Sequence, residues 1–200
     1  MLTARTTART LIDGVMGDMG LYTKFERAVY REILNETIAR LYNEVIEEIA
    51  EARGVSVDGA LILSDIPVPK DVAPIREADV LGVRKGDTHF RRVSPKLFGF
   101  LDSEDGSFYA LQEEKIRLTP TWTTHGLFVT YRVRPLPFTK DNEERALPVP
   151  DEYVSLLRAK IRGEIYKLAN EDELAAKWLG EYNLTLASFA AFCAARRDRI

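Results

Sequence analysis

The chain has 200 residues, 46% hydrophobic and 30% charged, with 28 basic and 31 acidic side chains and a net charge of −3. That composition belongs to a globular protein with a real core rather than a disordered chain, and the acidic balance argues against a general nucleic-acid binder, whose domains carry a basic surplus. A lone Cys193 beside only His89 and His125 excludes an internal disulfide framework and the usual soft-ligand metal sites, so neither a metal nor another cofactor is expected.

The first residues, MLTARTTART, lack the apolar stretch of a secretory signal, and no run approaches the ~20 apolar residues of a membrane span. The expectation is a protein of the cytosol or of an assembled particle. Leu11, Ile12, Val15, Met16 and Met19 predict a short helix, with Thr10 as its N-cap and Gly20 as its stop. From Lys24 to about Arg53, Phe25, Val29, Ile33, Leu34, Ile38, Leu41, Val45 and Ile49 form one stripe. Arg27, Arg31, Arg40, Glu47, Glu48 and Glu51 occupy the other faces, which predicts one long amphipathic helix ended by Gly54.

Between Val55 and Arg134, glycine and proline punctuate short β-branched and apolar runs. Strands are predicted over Ala60–Ser64, Asp79–Arg84, Thr88–Val93, Ser107–Gln112, Lys115–Leu118 and Leu127–Arg134, with SEDGS, Ser103–Ser107, as a hairpin turn. In the last strand Leu127, Val129, Tyr131 and Val133 alternate with polar residues, the period of two of a half-buried strand. A polar, proline-bracketed loop runs from Pro135 to Pro150. Helical spacing then returns: Tyr153, Leu157, Ile161, Ile165 and Leu168 form one stripe behind Pro150, Asp151 and Glu152. Asn170 with Glu173 reads as a capping box for a final helix with Leu174, Trp178, Tyr182, Leu186, Phe189 and Cys193 on one side.

Catalytic spacings are missing: the chain has no GxSxG, GxxxxGK[ST], GxGxxG or HExxH. His125 in TWTTHGLF and His89 read as ordinary loop and strand residues. The doublets Glu47–Glu48, Glu113–Glu114 and Glu143–Glu144 read as solvated surface, because adjacent carboxylates share a face on neither a helix nor a strand. Cys193 falls on an apolar helix side and reads as a small buried hydrophobe. Two features stay open. The arginines Arg196, Arg197 and Arg199 either complement a helix C-terminus or, with Phe189 and Phe192, dock on a protein or nucleic acid. Trp122 either caps the sheet's core or anchors a partner.

Taken in order, a long helix, an inserted sheet, the strand VTYRVRPLPFT at Val129–Thr139, a polar loop, and ALPVPDEYVSLLRAKIRGEIYKLANEDELAAKWLGEYN at Ala146–Asn183 resemble the head-to-tail adaptor (connector) proteins of tailed bacteriophages, the tail tubular protein A type among them. The likeness covers about residues 24–190 in architecture and is specific over about 126–183.

It implies a virion structural protein without enzymatic activity. Such a protein forms a ring, commonly of twelve copies, that joins the portal to the tail or neck around the DNA channel. The implied partners are copies of itself, the portal, the tail or neck protein and DNA in transit, with no membrane, and assembly takes place in the host cytoplasm. On this reading Phe189, Phe192, Arg196, Arg197 and Arg199 contact the portal or another partner. Pro135, Pro137, Phe138, Glu143, Glu144 and Pro148 form a subunit-contact loop, Trp122 is a loop anchor, and Asp141, Glu143 and Glu144 face basic neighbours or the DNA channel. The alternatives are a DNA-binding or packaging accessory factor using its arginine-rich end, and a small hydrolase using Asp or Glu with His125.

The fold expected is α+β, a helical bundle made of a long N-terminal helix and two C-terminal helices with an inserted small antiparallel β-sheet. It is expected to be a single adaptor domain over residues 1–200, with a helical core at 1–54 and 150–200, a β insertion at 55–134 and a linker loop at 135–149.

Overall fold

Thr7, not Thr10, starts the first helix, its hydroxyl accepting the Thr10 N–H at 3.2 Å. In the computed structural model, which describes residues 5–20, 25–101, 106–119 and 124–197, the chain divides into two units, residues 1–46 with 137–200 and residues 47–136.

The first unit contains α1 (Ala8–Met19), α2 (Arg27–Leu41), α4 (Val154–Leu168) and α5 (Asp172–Arg197). Its core is the expected set of stripes: Leu11, Ile12 and Val15 from α1, Leu34, Ile38 and Leu41 from α2, and Leu157, Ile161 and Ile165 from α4 are all buried. Gly163 lets α4 and α5 approach closely, since a Cβ there would stand 2.7 Å from Leu179 Cδ2 and 3.3 Å from the Leu179 amide nitrogen. Asn170 does not cap α5. It takes a left-handed φ of 60° and closes α4, with Glu171 N–H donating to Tyr166 O at 2.9 Å and Asn170 N–H to Lys167 O at 3.1 Å. Those two bonds satisfy the last carbonyls of α4 as a Schellman motif.

The second unit contains β1 (Ile49–Ser56), β2 (Ala60–Ile62), β3 (Val80–Lys85), β4 (Thr88–Arg92), α3 (Pro95–Phe98), β5 (Phe108–Gln112), β6 (Lys115–Thr119) and β7 (Thr124–Arg132). The strands form one seven-stranded sheet in the order β1-β7-β3-β4-β5-β6-β2. All pairings are antiparallel except β4 with β5, where Arg91 stands beside Phe108 and Arg92 beside Tyr109. The two edge strands are consecutive in the chain and are bridged by reciprocal Val57 and Ala60 backbone bonds of 2.8 and 2.9 Å. The sheet therefore curls almost shut. Tyr109, Ile116, Leu118, Leu127, Val129 and Tyr131 are buried.

The expected helical bundle with a small antiparallel sheet is thus corrected to an α+β fold with a nearly closed, mixed, seven-stranded barrel and five helices among the described residues. The error lies in the helix expected from Lys24 to Arg53. Helix α2 stops at Leu41, a single wider turn spans Tyr42–Ile46, and Glu47 at φ 47° redirects the chain into β1. The inward side chains of β1 are small: Ala52, Gly54 and Ser56 are buried while Glu51, Arg53 and Val55 are exposed. Ala52 lies opposite Val129 and Gly54 opposite Leu127, so bulk on β7 fills what β1 leaves. The SEDGS turn lies largely outside the described residues, and the strands on either side of it pair in parallel, as a tight hairpin cannot.

Candidate functional site

The loop expected to contact other subunits is largely built into the helical unit. The Asn35 amide holds Phe138, donating from Nδ2 to Phe138 O at 2.9 Å and accepting the Phe138 N–H at 2.8 Å. Arg145 lies over the Phe138 ring at 4.4 Å. The Glu143 side chain is only 3% exposed; its carboxylate accepts from Arg27 Nε at 2.7 Å and from Arg31 Nη1 at 2.8 Å. Arg27 also pairs with Asp13 on α1. Backbone bonds from Arg9 N–H to Glu143 O at 2.9 Å and from Leu147 N–H to Thr6 O at 2.9 Å tie the loop to the start of α1. Burial pushes the Glu143 carboxyl up, but the two guanidinium donors outweigh it and hold it below its ordinary value. Arg27 is raised by the same bond.

Glu143 and Phe138 are therefore occupied inside the subunit. Expected to face basic neighbours in the ring or the DNA channel, the Glu143 carboxylate instead pairs within the chain, with Arg27 and Arg31. Glu144, Asp141 and Pro137 are exposed and Pro148 is half-buried. Glu144 pairs with Arg9 at 2.9 Å on the surface. Pro135 belongs to the barrel unit and is bridged to Val72.

In the same unit, Tyr153, Phe189 and Phe192 cluster, with ring centroids 4.8 Å apart for Tyr153–Phe189 and 5.2 Å for Tyr153–Phe192. Phe189 is 1% exposed and holds α5 down, while Phe192 is half-buried. Exposed Arg196 stands 5.4 Å from the Phe192 ring and lines a depression of about 360 Å³ with Arg5, Tyr42, Pro148 and Asp151. The Thr6 N–H, donating to Asp151 at 3.0 Å, holds that carboxyl below its ordinary value. Arg197 ends α5; Arg199 and Trp122 lie outside the described residues. No group of three His, Cys, Asp or Glu side chains that could hold a metal occurs among the described residues, and no described helix is long and apolar enough to cross a membrane.

Two features escape a stripe-by-stripe reading. The far side of α5, centred on Leu184, is exposed; its signal is that apolar residues occupy every phase of that helix. A groove between α2 and α4 has Leu168 at its end, 53% exposed although it continues the buried stripe of α4.

No curated protein matches the chain. The family model for the SU10 adaptor protein matches residues 6–200, so the chain belongs to that family of bacteriophage virion adaptors and is a structural protein.

Proposed function

We propose that the protein is one subunit of a ring that joins the portal to the tail or neck and surrounds the DNA channel, with twelve copies as the expected number and no catalytic step of its own. The single observation that carries the reading is the adaptor-family match over residues 6–200. The folded chain supports it. A loop clamped by Asn35, Arg27 and Arg31 is ordered before any partner arrives, which lowers the entropy lost on docking. Exposed Leu184, among the small residues on the outer side of α5, offers a contact for another protein chain.

In this reading exposed Arg196, over the Phe192 ring, faces the portal or another partner, and Glu144 with Pro137 faces a neighbouring subunit. The test is to mix the purified full-length protein with the portal ring of the same virus and measure the mass of the complex. The expected product is a discrete species carrying several adaptor copies per portal ring. A mixture in which the two sediment separately at every concentration would overturn the proposal.

A further inference from the structure

Helix α5 buries Ala175, Tyr182 and Phe189 on one side, while Gly180, Leu184, Ala187, Ser188, Ala191 and Ala195 lie exposed on the other, Leu184 by 78%, with Glu173 and Lys177 on the same side nearer the helix start. A large apolar side chain left bare among small residues is a feature of helix faces that pack on another chain. The same unit holds a groove of about 390 Å³ between α2 and α4, lined by Val29, Ile33 and Leu168 and rimmed by Glu32 and Glu36. Its two bases are already engaged, Lys160 with Glu164 at 2.6 Å and Arg40 with Glu44 at 2.8 Å. Glu32 and Glu36 are exposed and make no ion pair with the described residues, so the groove is apolar inside and acidic at its edge.

We infer that this groove receives the outer face of α5 from a second copy of the chain, running antiparallel to α2. The inference rests on the ring reading and names its contact. On α5, Glu173, Lys177 and Leu184 follow one another at intervals of four and seven residues; on α2, Arg40, Glu36 and Val29 do so in reverse. At about 100° per residue each trio falls within roughly 40° of one line along its helix. Antiparallel alignment puts Lys177 against Glu36 and Leu184 over Val29, with Ile33 and Leu168 beside it, and sets Glu173 beside the Arg40–Glu44 pair. The parallel alignment in the same register is disfavoured, because it sets Leu184 onto Arg40 and Lys177 onto Ile33, each a charge against an apolar side chain. Gly180 and the alanines let the helices approach closely enough for Leu184 to act as the knob. Since the two faces differ, the contact is heterologous, and its repetition generates a ring or an open filament rather than a closed pair.

The experiment uses the full-length protein. Sedimentation and native mass spectrometry follow its self-association for the parent, Leu184→Asp, Lys177→Glu, Glu36→Lys and the double charge exchange. Leu184→Asp is expected to raise the concentration needed for association by about tenfold or more. Each single charge reversal weakens association, and the double exchange restores it. All four changes are at exposed positions, so the monomer's melting temperature reports that the fold is intact. In parallel, a Cys193→Ser chain carrying Val29→Cys and Leu184→Cys is treated with a short bis-maleimide, and a ladder of multimers is expected. A ring-sized oligomer insensitive to Leu184→Asp, without the ladder, overturns this contact while leaving the ring reading standing. Leu184→Cys alone cross-linking only to dimers assigns the face to an α5–α5 pair and also overturns it. A protein that stays monomeric both alone and with the portal overturns both readings.

Discussion

In the helical unit a buried carboxylate organises a loop. Glu143 gathers Arg27 and Arg31 from α2 while the neighbouring backbone bonds to the start of α1. In the barrel unit the buried carboxylate of Asp79 accepts from Arg134 Nε at 2.8 Å and from the Arg76 N–H at 2.9 Å, while the Arg84–Glu51 pair, with contacts of 2.9 and 2.7 Å, lies on the exposed face of β1. Both units thus contain a buried carboxylate held by arginine, and the barrel adds the matching of small side chains of β1 to large ones of β7. The lesson is that a charge change should injure either unit at its buried carboxylate and a volume change either unit at its close contacts, each at an identifiable residue.

The largest effect is expected from Glu143→Ala, which leaves two arginines without their shared acceptor. Because those arginines are partly exposed, the cost is set at about 2–4 kcal/mol, below that of a fully buried pair, or a melting-temperature loss of roughly 5–15 °C. The same change at Glu144, 66% exposed, is expected to cost under about 0.5 kcal/mol. Thermal melts of the two variants check the contrast directly.

Next come the paired glycine changes. Gly163→Ala meets the Leu179 side chain and backbone, and Gly54→Ala meets Leu61 Cδ2 at 2.8 Å. Each is expected to cost about 1–3 kcal/mol from overpacking, reduced at Gly163 by the better helix propensity of alanine. Denaturant unfolding measures both, and a neutral result at either site would mean that the close approach there is relaxed in solution.

Acid provides a smaller, graded effect. The folded Glu143 carboxyl titrates below its unfolded value, so its contribution is complete above about pH 4.3 and is lost as pH falls through the lower folded value. Below about pH 4.3 the unfolding midpoint of the parent should therefore drop more steeply with falling pH than that of Glu143→Gln, whose midpoint is already lowered at neutral pH. Parallel curves would contradict the assignment. The smallest effect is expected from Tyr182→Phe: the hydroxyl is buried without a hydrogen-bond partner among the described residues, so its removal should change stability by no more than about 0.5 kcal/mol or raise it slightly.

The same contrast explains what could be read in advance. Helices α1, α4 and α5 and the strands from β2 to β7 declare themselves through large apolar residues at the right period. Strand β1 hides because Ala50, Ala52, Gly54 and Ser56 carry the inward positions, while Val45 and Ile49 happen to continue the phase of α2. The available clue was Asp58–Gly59, both at positive φ, the turn that joins β1 to β2. Glu113 and Glu114 also adopt positive φ and form the two-residue turn from β5 to β6, a role their side chains do not advertise. Glu143 looked like surface because its acidic neighbours are surface, and only the tertiary approach of Arg27 and Arg31 distinguishes it. The exposed side of α5 was visible as an excess of alanine, yet composition alone does not say which side of a helix is left bare.

The most direct test of the account is the copy number of this chain in the purified head-to-tail junction of the intact virus particle, measured by mass against the portal. The account predicts several copies in a closed set around the channel; a single copy per particle, or none, would contradict it.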